Sequence, residues 1–305
     1  MRILIVLLVA VTLLSCSKGN KNYGSEPTLL ECTSFLGNPL FRKITDSTTL
    51  AKSDSTIAAI KSKGSLTEDD FIAIGRQLVT NNRFSKAVEN FSDGLAMYPN
   101  SFKLLRHRGH RYINLRQLDK AIADLNKAEE LIRTQPEVWE YNAAGKPGAT
   151  YQHQIWYHIG VYHFLKKSYA ECAAAFEKCL AAAHEGNDIA GASDWLCNAY
   201  HRSGRKDKIE NVLKPFTLDF AIEDKEYPYF RRLLFYKGLI TQEQLVDVNK
   251  PIDQMTLSEV TRLYGLANWI AYQGDQAKAT EIYKLVVQSK DWPGFAVASA
   301  EKDLQ

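Results

Sequence analysis

Seven histidines and five cysteines are the side chains of this 305-residue chain best suited to chemistry. His107 and His110 stand three residues apart, and His153, His158 and His163 follow at intervals of five, so zinc is the ion to consider. Their surroundings argue against it. Arg106, Arg108 and Arg111 crowd the first pair with positive charge, and no Asp or Glu lies nearby in sequence to complete a ligand set. The chain also lacks a phosphate-cradling glycine loop, a GxSxG elbow, an HExxH helix and a CxxC pair. No metal, no cofactor and no catalytic set is expected, and the chain does not read as an enzyme. Cys172 and Cys179 are seven residues apart on one helix, about 10.5 Å along its axis, beyond the roughly 7 Å limit for a disulfide. With Cys197 they read as small buried apolar side chains. A bridge involving Cys197 or Cys32 stays open. The 38 basic and 35 acidic residues leave a net charge of +3, too small for bulk attraction to nucleic acid.

The elements that must position these residues are written in a repeat. Phe71, Ile74, Gly75 and Leu78 are followed by Ala87, Phe91, Gly94 and Pro99; Gly109 comes 34 residues after Gly75, then Tyr112, Ala121, Leu125 and Ala128. Related series run through Trp156, Gly160, Cys172 and Phe176, through Leu196, Tyr200, Gly204 and Leu213, and through Leu263, Ala267, Gly274 and Tyr283. Apolar residues at helical spacing, then a polar turn such as Asn81-Asn82-Arg83, then a second stripe describe two antiparallel helices. Gly75 with Ala87, and Gly109 with Ala121, stand where those helices approach closely.

This pattern resembles the tetratricopeptide repeat. The resemblance implies an all-α fold, a right-handed α-solenoid of about six helix-turn-helix hairpins with copies near 68–101, 102–136, 153–186, 190–216, 225–249 and 260–290. A capping helix from Trp292-Pro293 is expected to shield the end of its core. It also implies a concave groove lined by the first helix of each hairpin, for a protein or peptide partner. Mapped onto this chain, the groove residues are Arg76, Lys103, Arg106, His110, Asn114, Tyr157, Asn198, His201, Arg202, Tyr264, Asn268 and Tyr272. One end is cationic and the other rich in amides and tyrosines. Arginine with asparagine resembles the family's carboxylate-clamping grooves, although Ile72 and Val161 replace polar residues of such a clamp. Arg76, Arg106 and His110 are expected to converge on an acidic side chain or a terminal carboxylate.

The amino terminus carries a second signal. Arg2 precedes an apolar stretch, residues 3–14 apart from Thr12, too short for a stable membrane span and laid out as an export signal. Leu13-Leu14-Ser15-Cys16 resembles a bacterial lipobox, which implies removal of residues 1–15 and lipidation of Cys16. The expected location is then the bacterial cell envelope, at the outer membrane facing the periplasm. Residues 16–45 read as a flexible tether and 46–305 as the solenoid, with a leading helix within 47–62 and a capping box at Thr67 and Asp70. From Gly109 to Gly160 is 51 residues, and the surplus falls around 140–148, a binding loop or an indifferent insertion. The expected function is a non-catalytic, membrane-anchored adaptor. The alternative is a glycan-binding lipoprotein of a sugar-uptake system, with Tyr264, Trp269 and Tyr272 to meet the sugar.

Overall fold

A computed structural model describes residues 29–141 and 145–305. The export signal, Cys16 and residues 17–28 of the expected tether lie outside them, as do residues 142–144 of the surplus segment.

Six helical hairpins follow one another among the described residues. They pair α2 (Glu68–Thr80) with α3 (Phe84–Met97), α4 (Phe102–Asn114) with α5 (Leu118–Ile132), and α6 (Tyr151–Leu165) with α7 (Tyr169–Ala181). The later ones pair α8 (Gly186–Arg202) with the five-residue α9 (Ile209–Leu213), α10 (Pro228–Tyr236) with the single turn α11 (Gln242–Leu245), and α12 (Leu257–Tyr272) with α13 (Gln276–Val286). A leading helix α1 (Ser47–Lys61) precedes them and α14 (Phe295–Asp303) ends the chain. The result is an all-helical solenoid with two minor hairpins, β1 (Leu30–Thr33) with β2 (Pro39–Phe41) and β3 (Trp139–Tyr141) with β4 (Pro147–Thr150). Among the described residues no helix is long and apolar enough to cross a membrane.

Local chemistry starts and stops these helices. Thr67 and Asp70 form the expected capping box on α2, and Thr241 with Gln244 and Thr256 with Glu259 do the same for α11 and α12. Each hairpin turns at a left-handed residue: Asn82, Arg116, Lys167, Gly204, Gly238 and Gly274. Only glycine takes that conformation without strain, so the three non-glycine turns need support from elsewhere. Inside the hairpins, a Cβ on Gly109 would stand 2.9 Å from Leu125 Cγ, and one on Gly160 would stand 2.5 Å from Phe176 Cε2. The absent side chain is what lets the paired axes approach. The core deepens toward the middle, where every residue of α8 from 190 to 200 is buried.

One expectation is corrected and another extended. Residues 30–41 of the expected flexible tether form an ordered hairpin: Glu31 Oε2 accepts from Ser85 N and Oγ, both at 2.8 Å, and Trp292 Nε1 donates to Phe41 O at 2.7 Å. Strands this short show no periodicity, and their partners stand 54 and 251 residues away. The terminal helix, expected to shield the end of the core, packs on α12 and α13 and also reaches α6. It therefore lies across the concave side. The reason is charge: buried Arg116, at the α4–α5 turn, donates to Glu301 through Nε at 3.0 Å and Nη2 at 2.7 Å, and to Trp292 O at 2.8 Å. Cys32, Cys172, Cys179 and Cys197 are all free thiols.

Candidate functional site

The α4 sequence Phe102-Lys-Leu-Leu-Arg-His-Arg-Gly-His-Arg-Tyr112 buries Leu104, Leu105 and Gly109 against its neighbours. Lys103, Arg106, His110 and Asn114 then fall on its other side at helical spacing. All four meet this chain's own atoms. Lys103 pairs with Glu68 at 3.0 Å, and Asn114 Nδ2 donates to Pro293 O at 2.7 Å. The His110 ring lies 4.1 Å from the His158 ring and 5.2 Å from that of Phe295, centroid to centroid. Arg106 donates to Gln154 Oε1 at 2.6 Å and stands 3.2 Å from Glu140 Oε2.

Glu140 is the centre of this end. Strand β3 carries it inward, so that Arg76 reaches its Oε1 at 2.5 Å while also donating to Tyr141 O at 3.0 Å. Arg106 can only donate, so its 3.0 Å contact makes His107 Nδ1 the acceptor and leaves the ring proton on Nε2, 3.2 Å from Glu140 Oε1. Burial works against ionisation of Glu140, but Arg106, His107 and Arg76 together hold its carboxyl far below the usual carboxylate range. Burial, aided by the Arg106 charge, pushes His107 down to about 4. The site thus grips one carboxylate with two guanidiniums and a neutral imidazole. Of the expected clamp, Arg76 and Arg106 converge as anticipated. His107 takes the place assigned to His110, and the carboxylate comes from the surplus segment itself.

At the far end the amides and tyrosines assemble around another carboxylate of the same chain. Arg202 Nη2 donates to Asp303 Oδ2 at 2.9 Å and to Asn268 Oδ1 at 2.9 Å, and Tyr264 OH donates to Asp303 Oδ2 at 2.8 Å. Asn198 Oδ1 accepts from Asn268 Nδ2 at 3.0 Å and from Tyr272 OH at 2.9 Å. Asn114, Asn198, Tyr264 and Asn268 are buried, which corrects their expected place on an open groove wall. Tyr157 is likewise turned inward, its hydroxyl accepting from Trp195 Nε1 at 2.8 Å and donating to Tyr229 OH at 3.2 Å.

Comparison with known proteins bears on the hairpins that carry these residues. A family profile described as tetratricopeptide repeat matches residues 107–135 and 153–183, which hold most of α4–α5 and α6–α7. These two hairpins are tetratricopeptide repeats by that profile. A search of curated proteins returned no match. Among solved structures, a tetratricopeptide repeat protein from Parabacteroides merdae is similar at 13% identity and a TM-score of 0.47, over 82% of this chain and 92% of that one. A chain in the structure of Naa15/Naa10 bound to HypK-THB is similar at 16% identity and a TM-score of 0.33, over 82% of this chain and 36% of that one.

Two clefts remain open on this repeat protein. One, of about 470 Å³, lies where α4, the start of α10, the start of α12 and segment 293–295 meet, and a smaller one of about 390 Å³ continues toward Glu140. Val79, His110 and Arg111 line both. The other, of about 540 Å³, sits among α8, α9, α10 and α12. It is walled by His201, Trp269 and Tyr236; Trp269 stacks on Tyr236 at 5.2 Å, and His201 stacks on Tyr272 at 4.1 Å. Sequence reasoning missed Glu140, His107, Arg111, Arg116, Glu301 and Asp303. The cationic concave stripe facing acids at 301 and 303 was a signal of charge complementarity, and the 51-residue spacing pointed at the segment that supplies Glu140. Among the described residues no three His, Cys, Asp or Glu gather to hold a metal. His153 instead donates from Nδ1 to Cys179 O at 3.0 Å.

Proposed function

We propose that this tetratricopeptide repeat protein is a non-catalytic adaptor that captures a protein or peptide through an acidic group. The single observation that carries the reading is the grip of Arg76, Arg106 and His107 on Glu140. Charge-assisted hydrogen bonds of this kind are roughly twice as strong as neutral ones. Glu140 sits on a three-residue strand of a small hairpin, so a partner's carboxylate can take its place. The adaptor is anchored in the bacterial cell envelope through a lipid on Cys16, at the outer membrane facing the periplasm. What supports the anchor is the run Leu13-Leu14-Ser15-Cys16 at the end of an apolar stretch.

Crosslinking in intact cells followed by mass spectrometry tests the clamp. Glu140→Gln should increase capture of the partner, and adding Arg76→Ala and Arg106→Ala to that variant should abolish it. Capture of the same partners at the same salt by the triple variant would move the binding surface elsewhere. Labelling with a fatty-acid analogue tests the anchor: Cys16→Ala should lose the label, and label persisting on the variant would sink the lipoprotein reading.

A second reading, glycan binding, has one observation in its favour, the stacked Trp269 and Tyr236 in the 540 Å³ cleft. Tyr264, one of its expected residues, is fully buried. Oligosaccharides that leave tryptophan fluorescence unchanged would remove it.

A further inference from the structure

Four arginines are buried to within a tenth of full burial: Arg106, Arg111, Arg116 and Arg232. Three stand against carboxylates, Arg106 at Glu140, Arg116 at Glu301 and Arg232 at Asp194, at 3.2, 2.7 and 3.0 Å. Arg111 does not. Among the described residues its guanidinium makes no hydrogen bond and no ion pair, and its one ring contact is with Phe84, 5.9 Å to the centroid. A buried charge without a counter-charge is among the costliest arrangements a fold can hold, and it persists where something else is meant to pair with it. Burial, with the Arg106 charge, pulls Arg111 down to about 9 against a partial offset from Glu140, which is not in contact with it, so it remains cationic at neutral pH.

Arg111 lines the 470 Å³ cleft, within the range of small-molecule sites. Three residues along α4, on the same face, Asn114 lines it too. The Asn114 amide nitrogen is held by Pro293 O, while its Oδ1 is buried and accepts from nothing. An unpaired cation therefore lines this space, and an unpaired acceptor is buried in its wall. Most of the remaining wall is apolar or aromatic, with Phe84, Phe295, Tyr227 and Leu257, and His110, Asp224, Ser258 and Thr261 add polar groups. The carboxylates at its edges are otherwise engaged: Glu140 by the clamp, and exposed Asp224 by the backbone N–H of Glu226 at 2.8 Å.

We propose that this cleft binds a small monocarboxylate with an apolar body and a hydrogen-bond donor beside the carboxylate. The carboxylate pairs with Arg111, the donor satisfies Asn114 Oδ1, and the body lies against Phe84 and Phe295. This is a site for a free small acid that adjoins the clamp holding Glu140, since Arg111 lines the clefts of both.

The test is calorimetric titration and thermal melting of the full chain with 3-phenyllactate, alongside 3-phenyllactamide and a tetrapeptide ending in phenylalanine. The acid should bind and raise Tm, with the amide weaker by at least about tenfold, since charge-assisted bonds carry the pairing. Without ligand, Arg111→Met should melt at or above the wild-type temperature, because it removes an unpaired buried charge, yet bind 3-phenyllactate at least about tenfold more weakly. Ser258→Phe, which narrows the cleft and leaves Arg111 in place, should also weaken binding. Absence of binding, equal affinity for acid and amide, or undiminished affinity in both variants would overturn the proposal. A tetrapeptide that binds more tightly than 3-phenyllactate would overturn it in favour of a peptide end.

Discussion

At one end of the concave side Arg76, Arg106 and His107 hold Glu140, whose side chain is 15% exposed; at the other, Arg202 holds Asp303 at 7% and Arg116 holds Glu301 at 2%. The chemistry is the same and the mounting is not. Glu140 arrives on a short strand whose neighbouring Tyr141 lies exposed, so releasing it disturbs little else. Glu301 and Asp303 sit on a helix anchored by buried Val297, Ala298 and Ala300, and Glu301 also accepts from Phe35 N at 2.9 Å. The first grip suits exchange with a partner. The second ties the last hairpin, the first strands and the α4–α5 turn into one body.

The largest effect should come from the second grip. Glu301→Ala strands Arg116 in the interior and should cost about 3–5 kcal/mol, as breaking a buried pair from one side does. A denaturant midpoint moved by the equivalent of less than about 1 kcal/mol would mean that the terminal helix is not held by that pair. Next in size is the scaffold beneath both grips. Gly109→Leu overpacks the contact with Leu125 and should cost about 1–3 kcal/mol, spreading to neighbouring hairpins because stacked repeats lean on one another. An unchanged melting temperature would refute the close contact.

Breaking the first grip should cost less than breaking the second. Glu140→Gln removes the counter-charge of buried Arg106 but leaves an amide oxygen to accept from it, and a loss of about 1.5–3 kcal/mol is expected in a urea titration. Its pH dependence has a definite sign. Glu140 is depressed in the folded protein, so its contribution is whole above an unfolded pKa of about 4.3 and is lost as pH falls toward the folded value. His107, pushed down to about 4, stays neutral in the fold while the unfolded chain takes up a proton, so stability falls as pH drops from about 6.5 toward 4. The wild-type midpoint should therefore decline in both windows, and His107→Gln should make the upper decline shallower by one histidine's share, since burial pushes His110, His153, His158, His163 and His201 down as well. The smallest effect belongs to Arg76→Ala. That side chain is 38% exposed, and a change of about 0–1 kcal/mol is expected from the same titration.

Much of the scaffold was legible before any coordinates. Thr67 and Asp70 act within three residues of each other, and the glycines at 75 and 109 recur with the repeat, so local chemistry and period carried them. The copy near 225–249 was legible as well, and in the fold it turns at Gly238 and starts α11 at Thr241. The site was legible only in part. Arg76 and Arg106 followed from helical spacing, but Glu140 lies 64 residues from Arg76 and in a segment without periodicity. His107 stands out in the sequence only beside His110, as a zinc candidate; its tautomer depends on which atom Arg106 faces.

By itself the sequence determined the helices, their pairing and the cationic and amide-rich stripes, because each depends on residues a few positions apart or one repeat apart. Whether those stripes would face an open groove was decided only in three dimensions. Buried guanidiniums require carboxylates, and the chain supplied them from positions far along its length: Glu140, Glu301 and Asp303. The same requirement, unmet at Arg111, was invisible in the order of residues, since being unpaired is a property of the whole surrounding structure.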